Sequence, residues 1–239
     1  NFGSSIPGVD NRGESYAKEE QLLAGLELNY HLSDALTLTS QTGYYKFGFE
    51  TVYNASATYI RSKILAGLKH TDYEEFSQEI RLNSDLSGPF NFTVGGYYQD
   101  TLGKTDNTIY TDGDAPRFLT GNKYRQRGMT LSAFGQIRYK ILPTLEIAGG
   151  GRFTKEVRKL PLAARFDGVT ATPLDVGDDR VEINDFSPEV SLSWRPTEML
   201  TVFGSYKKGF LSGGFNTGSS PAAGINYEPK FVEGFEAGV

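Results

Sequence analysis

An alternation of apolar and polar residues with a period of two constrains this chain more than any other feature. Between Leu22 and Leu32 the even positions are all apolar, whereas the odd positions include Glu27, Asn29 and His31. A period of two places successive side chains on opposite faces of a β-strand. The pattern predicts eight long strands and the start of a ninth. It is clearest again in four later segments, residues 90–98, 131–139, 145–153 and 186–194.

The connections between these strands alternate strictly between short and long. Residues that favour turns mark four tight connections, at Ser33–Asp34, Ser87–Pro89, Leu142–Thr144 and Arg195–Thr197. Between them lie long polar segments, residues 51–72, 102–123, 157–184 and 211–229. This order predicts repeated hairpins with all tight turns at one end, which is typical of an antiparallel transmembrane β-barrel with periplasmic turns and extracellular loops.

Composition supports an all-β chain and excludes several classes of function. Aromatic residues make up 13% of the chain, with 28 Gly and only 2 Met, a balance that suits strands. The net charge of −5 and the scattered Lys and Arg residues argue against nucleic-acid binding. Without Cys there can be no disulfide or thiolate site. No apolar run approaches the length of a spanning helix.

The main structural alternative is a soluble β-sandwich, which also alternates apolar and polar residues. Sandwich strands are shorter, and their connections do not sort into short and long by order, so a barrel in contact with outer-membrane lipid is preferred. Aromatic residues toward the ends of the apolar faces are expected to form membrane-interface girdles. These residues are Tyr30, Tyr98, Tyr139, Phe153, Trp194, Tyr206 and Phe210.

Several stretches resemble the barrels of TonB-dependent receptors. They are Phe-Ser-Gln-Glu-Ile-Arg-Leu at 76–82, Val-Phe-Gly-Ser-Tyr-Lys-Lys-Gly-Phe-Leu-Ser-Gly-Gly-Phe-Asn at 202–216 and Tyr-Glu-Pro-Lys-Phe-Val-Glu-Gly-Phe-Glu-Ala-Gly at 227–238. Lys230, Phe235 and Ala237 depart from the family pattern. The resemblance implies a 22-stranded barrel closed by an N-terminal plug that carries a TonB box. Residues 1–239 are then expected to be part of a single barrel domain, about nine strands without the plug and the C-terminal strands.

The same resemblance implies active import of a scarce nutrient across the outer membrane, with energy supplied through TonB and the missing plug. A ferric siderophore is the commonest family substrate and the leading expectation. Loop residues with aromatic or cationic side chains are the candidate ligand contacts, because such groups bind planar or anionic ligands. These candidates are Tyr53, Tyr59, Arg61, Tyr110, Arg117, Tyr124 and Arg125.

Other motifs give weaker hypotheses, and no catalytic residue, metal site or cofactor is predicted. A passive porin and an outer-membrane enzyme remain alternatives, the latter because His70 with Asp72 is similar to a His-Asp pair of a protease. Two acidic clusters, Asp112 with Asp114 and Asp175 with Asp178 and Asp179, are expected to be solvated loops rather than calcium sites. The Gly-rich run 209–218 is expected to be a mobile extracellular connection rather than a phosphate loop.

Overall fold

The computed structural model describes residues 14–56, 65–111, 117–217 and 225–239. Among these residues, no helix is long and apolar enough to cross a bilayer. Nine long strands of the described part pair antiparallel in chain order, which confirms the predicted all-β meander. They are β1 (Tyr16–Ser33), β2 (Leu36–Asn54), β3 (Leu65–Ser84), β4 (Phe90–Thr111), β5 (Phe118–Leu142), β6 (Leu145–Phe166), β8 (Arg180–Thr197), β9 (Leu200–Leu211) and β12 (Lys230–Gly238).

Three short strands complete the described structure. The strand β7 (Ala171–Pro173) pairs with β6, while β10 (Gly214–Phe215) and β11 (Asn226–Tyr227) form a separate two-stranded sheet. The large sheet is open, and β1 and β12 are its two edges.

Three of the four tight turns lie where the sequence predicts them, and the fourth lies further along the chain. The first three connect β1 to β2, β3 to β4 and β5 to β6. The fourth is Glu198–Met199, so the predicted turn at Arg195–Thr197 is wrong. Pro196 lacks an N–H, and the pairing of β8 with β9 is irregular between Trp194 and Thr197. The strand nevertheless continues through this irregularity, because the Arg195 amide donates to the Thr144 carbonyl at 2.7 Å.

One face of the sheet, the outer face, carries a belt of exposed apolar side chains. Leu28, Leu131 and Phe153 on this face are 58%, 54% and 51% exposed. A strand rises about 3.4 Å per residue, so nine residues of a tilted strand span roughly the 25 Å apolar band of a membrane barrel. We call this the apolar belt. Its clearest segments are residues 90–98 of β4, 131–139 of β5, 145–153 of β6 and 186–194 of β8.

Polar side chains within the apolar belt satisfy one another. The Thr42 hydroxyl donates to Gln78 Oε1 at 2.6 Å, and Gln78 Nε2 donates to Ser40 Oγ at 3.0 Å. Because hydrocarbon offers no hydrogen-bond partners, such closed pairs keep these groups compatible with a lipid-facing position.

The strands extend much further from the tight turns than the sequence predicts. β3 begins at Leu65, β4 runs to Thr111 and β5 begins at Phe118, although residues 51–72 and 102–123 are predicted as loops. Likewise β6 continues to Phe166, within the predicted loop 157–184. The prediction is wrong here because backbone pairing does not require apolar side chains once a strand has left the belt.

The opposite face of the sheet, which we call the inner face, is polar. At Gly150 on this face, neighbouring atoms leave no space for a side chain. Gln136 on β5 and Glu189 on β8 lie on either side of Gly150 in one cross-strand row. Their side chains meet over it, with Gln136 Nε2 donating to Glu189 Oε1 at 2.6 Å. A Cβ atom at Gly150 would lie 2.5 Å from the Gly135 carbonyl oxygen and 3.0 Å from Gln136 Cα. Only glycine leaves room for this polar contact.

Candidate functional site

The described part of the connection between β9 and β12 lies against the inner face. Phe215 of its short strand β10 and Ile225, just before β11, pack against Tyr124, Leu160 and Ala163 of β5 and β6. Ile225 is 1% exposed and Phe215 is 6% exposed. Five buried apolar side chains therefore hold this hairpin, which we call the inner hairpin, against the wall.

Polar contacts fix the same hairpin above a buried carboxylate. Ser212 Oγ donates to Glu156 Oε2 at 2.6 Å, and Arg158 Nε forms an ion pair with Glu156 Oε1. Gln126 Nε2 also donates to the Phe215 carbonyl, at 3.5 Å. Burying an unpaired carboxylate is costly, so the two partners of Glu156 make its burial tolerable. The bond from Ser212 depends on the hairpin being docked, whereas Arg158 lies on β6 beside Glu156.

A cavity of about 330 Å³ lies beside the inner hairpin on the inner face. Thr71 Oγ1 is buried there without a hydrogen-bond partner among the described residues. The cavity can accept part of a small ligand that forms hydrogen bonds. Its lining is dominated by hydroxyl and amide groups and includes Thr71, Tyr73, Gln99, Thr101, Tyr124 and Gln126.

Two tyrosines of this cavity are held in the neutral form. Burial raises the pKa of Tyr73, and a hydrogen bond that its hydroxyl donates to Glu75 at 2.7 Å raises it further. Burial also raises the pKa of Tyr124. Both phenols therefore remain protonated near neutral pH, and the hydrogen of the Tyr73 hydroxyl is already taken by Glu75.

An aromatic strip continues from the cavity along the inner face of β2 and β3. The rings of Tyr45 and Phe47 stack at 6.5 Å, those of Phe47 and Phe49 at 6.2 Å, and Tyr45 meets Tyr73 at 6.1 Å. We call these four residues the inner aromatic strip. The prediction of ligand contacts missed it because it considered loops only. The aromatic residues at 45, 47 and 49 are nonetheless spaced two apart, which places them on one face of a strand.

The candidate ligand contacts predicted from sequence face two different sides of the sheet. Tyr53 and Tyr124 lie on the inner face, where the Tyr53 hydroxyl donates to Asn107 Oδ1 at 3.0 Å. Tyr110 and Arg125 lie on the outer face, where Arg125 pairs with Asp106 at 2.8 Å. All four belong to strands rather than loops.

Three further candidates lie at or beyond the limits of the described structure. Arg117 is exposed beside the start of β5, and its amide donates to Thr111 Oγ1 at 3.0 Å. Tyr59 and Arg61 lie outside the described residues. The role of all seven candidates in ligand binding stays a prediction.

The aromatic residues predicted for the membrane interfaces mostly lie at the two borders of the apolar belt. Tyr30, Tyr139 and Trp194 lie on the outer face near the tight turns. At the opposite border are Tyr98 and Phe153. Tyr206 lies directly across from Val190, midway along the belt, and its ring packs against Phe235 at 5.0 Å. Phe210 lies four positions beyond Tyr206 and packs against Phe231 at 6.4 Å. Their role at the membrane interface stays a prediction.

The weaker sequence motifs occupy ordinary structural positions. His70 lies on the outer face between Glu50 and Asp72, with 3.2 Å from its Nε2 to Asp72 Oδ2. Asp175 and Asp178 accept hydrogen bonds from backbone amides two residues ahead. Among the described residues, no group of three or more His, Cys, Asp or Glu side chains could hold a metal ion.

Two of the predicted segments are described only in part or not at all. Asp112 and Asp114 lie outside the described residues. The Gly-rich run 209–218 ends strand β9 and enters the inner hairpin, and its last residue is not among those described.

Several solved structures contain a sheet similar to that of this chain. The ferric yersiniabactin uptake receptor FyuA from Yersinia pestis matches 93% of this chain, with a TM-score of 0.71 and 15% identity. The unliganded ferric citrate transporter FecA matches 92%, with a TM-score of 0.63 and 13% identity. BauA, the ferric preacinetobactin receptor from Acinetobacter baumannii, matches 93%, with a TM-score of 0.58 and 12% identity. At these identities the likeness shows the fold.

The chain spans about a third of those structures, namely 32%, 32% and 35% of their lengths. A family model described as TonB dependent receptor-like, beta-barrel matches residues 1–239, which is the whole sequence. This family forms barrels in the outer membrane, in agreement with the apolar belt and the long antiparallel strands. The chain therefore belongs to the β-barrel family of the TonB-dependent receptors.

Proposed function

We propose that the protein is an outer-membrane receptor that imports a ferric siderophore with energy supplied through TonB. The observation that carries this proposal is the match of the barrel family over the whole chain, together with siderophore receptors among the similar structures. In this proposal the described strands form part of the barrel wall. Their apolar belt lies in the lipid, and their long-connection end faces outward from the cell.

The inner face offers a ligand two kinds of contact near the outward end. The inner aromatic strip presents ring faces to planar or aromatic groups, and such stacked contacts contribute about 0.5–1.5 kcal/mol each beyond area burial. The cavity beside the inner hairpin presents the neutral phenol of Tyr124 as a hydrogen-bond donor, and it presents the hydroxyl oxygen of Tyr73, whose hydrogen is given to Glu75, as an acceptor. We therefore add Tyr45, Phe47 and Tyr73 to the proposed ligand contacts.

Energy coupling distinguishes this receptor from a passive porin. An open channel only equilibrates its solute, whereas a receptor that accumulates a scarce ligand must be driven. The proposed source is TonB acting on a plug, as the family implies.

The proposal is tested by uptake of ⁵⁵Fe-loaded siderophores in cells that lack the protein and in cells that regain it. We expect at least one chelate to enter only when the protein is present, and this entry to stop when TonB is deleted. Uptake that continues without TonB would support a passive porin instead. No uptake of any ferric chelate, with TonB-dependent uptake of another nutrient, would reject the siderophore and keep the receptor.

A further inference from the structure

Between the apolar belt and the end of the sheet opposite the tight turns, the outer face carries charged residues. Acidic residues prevail on some of its strands and basic residues on others. On β1–β3 the carboxylates of Glu20, Glu50, Asp72 and Glu74 outnumber the ammonium groups of Lys18 and Lys46. On β4–β8 the balance is reversed, although the whole chain carries a net charge of −5. Among the described residues, seven cations face outward there, against the carboxylates of Asp100, Asp106 and Glu182. All of these cations except Lys123 form what we call the basic patch, namely Lys104, Arg125, Arg127, Lys155, Lys159 and Arg180.

The register places like charges of the basic patch directly side by side. Arg127 on β5 is the cross-strand neighbour of Lys159 on β6, and Lys159 is the neighbour of Arg180 on β8. Lys104 on β4 is likewise the neighbour of Arg125. Cross-strand neighbours have Cβ atoms about 4.5–5.5 Å apart, and like charges at that distance destabilise a sheet. A bound anion would relieve this repulsion.

Ion pairs compensate only part of the patch. Asp106 pairs with Arg125 at 2.8 Å, and Glu182 pairs with Arg180 and, at 2.9 Å, with Lys155. These hydrogen bonds from Arg180 and Lys155 hold the pKa of Glu182 at about 2. Lys104, Arg127 and Lys159 are exposed and form no ion pair with any described residue.

The patch begins immediately where the apolar belt ends. Arg127 is the next outward-facing residue after Met129, and Lys155 is the next after Phe153. Met129 and Phe153 are themselves exposed, so the same strands present apolar surface below the cations. In a bilayer this border is the level of the headgroup phosphates, where each Lys or Arg contributes about 1 kcal/mol of attraction to anionic lipid.

We propose that the basic patch binds the phosphate groups of a phosphorylated lipid whose acyl chains lie along the apolar belt. The inference rests on the membrane placement in the proposed function, but not on the identity of the imported ligand. A lipid is preferred to a free phosphate because cations and apolar surface adjoin on the same strands, and only a lipid uses both.

The test measures binding of lipid A, which carries two phosphates, to the whole protein in phosphatidylcholine nanodiscs. The variant R127Q/K159Q removes two uncompensated cations, and at about 1 kcal/mol each its affinity should fall roughly 30-fold. The variant E182Q should bind more tightly than the natural protein, because it releases Arg180 and Lys155 from their carboxylate. The matched control K18Q/K46Q removes two cations from the other sector of the outer face and should bind normally.

Folding of each variant is checked by the mobility difference between heated and unheated samples in electrophoresis. The proposal is overturned if R127Q/K159Q folds and binds lipid A as the natural protein does, or if dephosphorylated lipid A binds equally well. It is also overturned if millimolar inorganic phosphate displaces the lipid completely, since the patch would then be a simple anion site. The test measures lipid binding and does not measure iron uptake. The lipid proposal can therefore hold even if the receptor imports another nutrient.

Discussion

At the scale of single residues, two adjacent glycines of β6 show how differently the two faces of the sheet are filled. Gly150 faces the inner row where Gln136 and Glu189 meet, and any side chain there would collide with neighbouring backbone. Gly149 faces outward, and a Cβ atom there would have no heavy atom within 4 Å. The same residue type is therefore required at one position and replaceable at the next.

We expect Gly150→Ala to destabilise the protein by about 1–3 kcal/mol, the usual range for overpacking. Urea unfolding of the protein in detergent, followed by tryptophan fluorescence, measures this change. Gly149→Ala is the matched control and should leave the midpoint unchanged or raise it slightly, because alanine restricts the unfolded chain. Equal effects of the two substitutions would contradict the packing described for Gly150.

Tyr16 gives a pH-dependent prediction at the same scale. Its hydroxyl donates to Glu50 Oε1 at 2.6 Å, and burial together with this bond raises the pKa of Tyr16 from 10.0 to about 12. Because the pKa of Tyr16 is higher in the folded state than in the unfolded state, its protonated phenol contributes to the free energy of unfolding. This contribution is complete below pH 10 and is lost as the pH rises toward 12. Tyr16→Phe should therefore lower the urea midpoint at pH 9 and much less at pH 11.5. A constant difference at the two pH values would argue against the shifted pKa.

At the scale of elements, the sequence predicts the strand segments of the apolar belt better than the strand ends that extend beyond the belt. Lipid demands an apolar outer face, so residues 131–139 alternate clearly. Nearer the start of β5, the run Lys123, Tyr124, Arg125 has polar groups on the outer face and a buried phenol on the inner one. Without lipid on one side, no simple periodicity is required, and these strand ends resemble loops in sequence.

The candidate site was predicted only in part for a related reason. Tyr53 and Tyr124 could be nominated by residue type, whereas the docking of the inner hairpin could not. That docking depends on contacts between residues such as Gln126 and Phe215, which are 89 positions apart. Such pairing leaves no local pattern in a single sequence.

Phe215→Ala tests whether the inner hairpin is held by its buried apolar contacts. Removing a buried phenylalanine costs about 3 kcal/mol or more, so the hairpin should open more often while the large sheet stays folded. The Asn216 amide, which donates to the Ile225 carbonyl at 2.6 Å, should then exchange its hydrogen roughly a hundredfold faster. Leu211→Ala, at a residue that is 67% exposed, is the control and should change this exchange little. Unchanged exchange in Phe215→Ala would mean that other contacts fix the hairpin.

At the scale of the whole molecule, the sheet separates three environments by face and height. The outer face is apolar beside the tight turns and charged above, while the inner face is polar with an aromatic strip. The alternation in the sequence predicts the first division. It does not predict the sorting of outer charges into an acidic and a basic sector, because that sorting appears only when the register aligns residues of different strands.

Val190→Arg tests the membrane placement of the whole belt. Val190 lies midway along the apolar segment 186–194 and is 44% exposed, so an arginine there would meet hydrocarbon and cost about 2–4 kcal/mol. Ser191→Arg, one residue later on the inner face, should change the stability by no more than about 0.5 kcal/mol. Folding into phosphatidylcholine vesicles at graded urea concentrations compares the two variants. A larger loss for Ser191→Arg would place the lipid on the opposite face.

The length of the strands beyond the apolar belt affects the entropy cost of binding a ligand. Strand β5 has 25 residues, of which nine lie in the clearest part of the belt. In the proposed membrane placement, much of this strand would therefore project beyond the bilayer as paired backbone. The groups that would touch a ligand there, such as Tyr73 and Tyr124, sit on a preorganised scaffold. Fixing a mobile residue costs about 1–2 kcal/mol of entropy, and a hydrogen-bonded wall has already met that cost on folding. Recognition can therefore be tight even when few contacts are made.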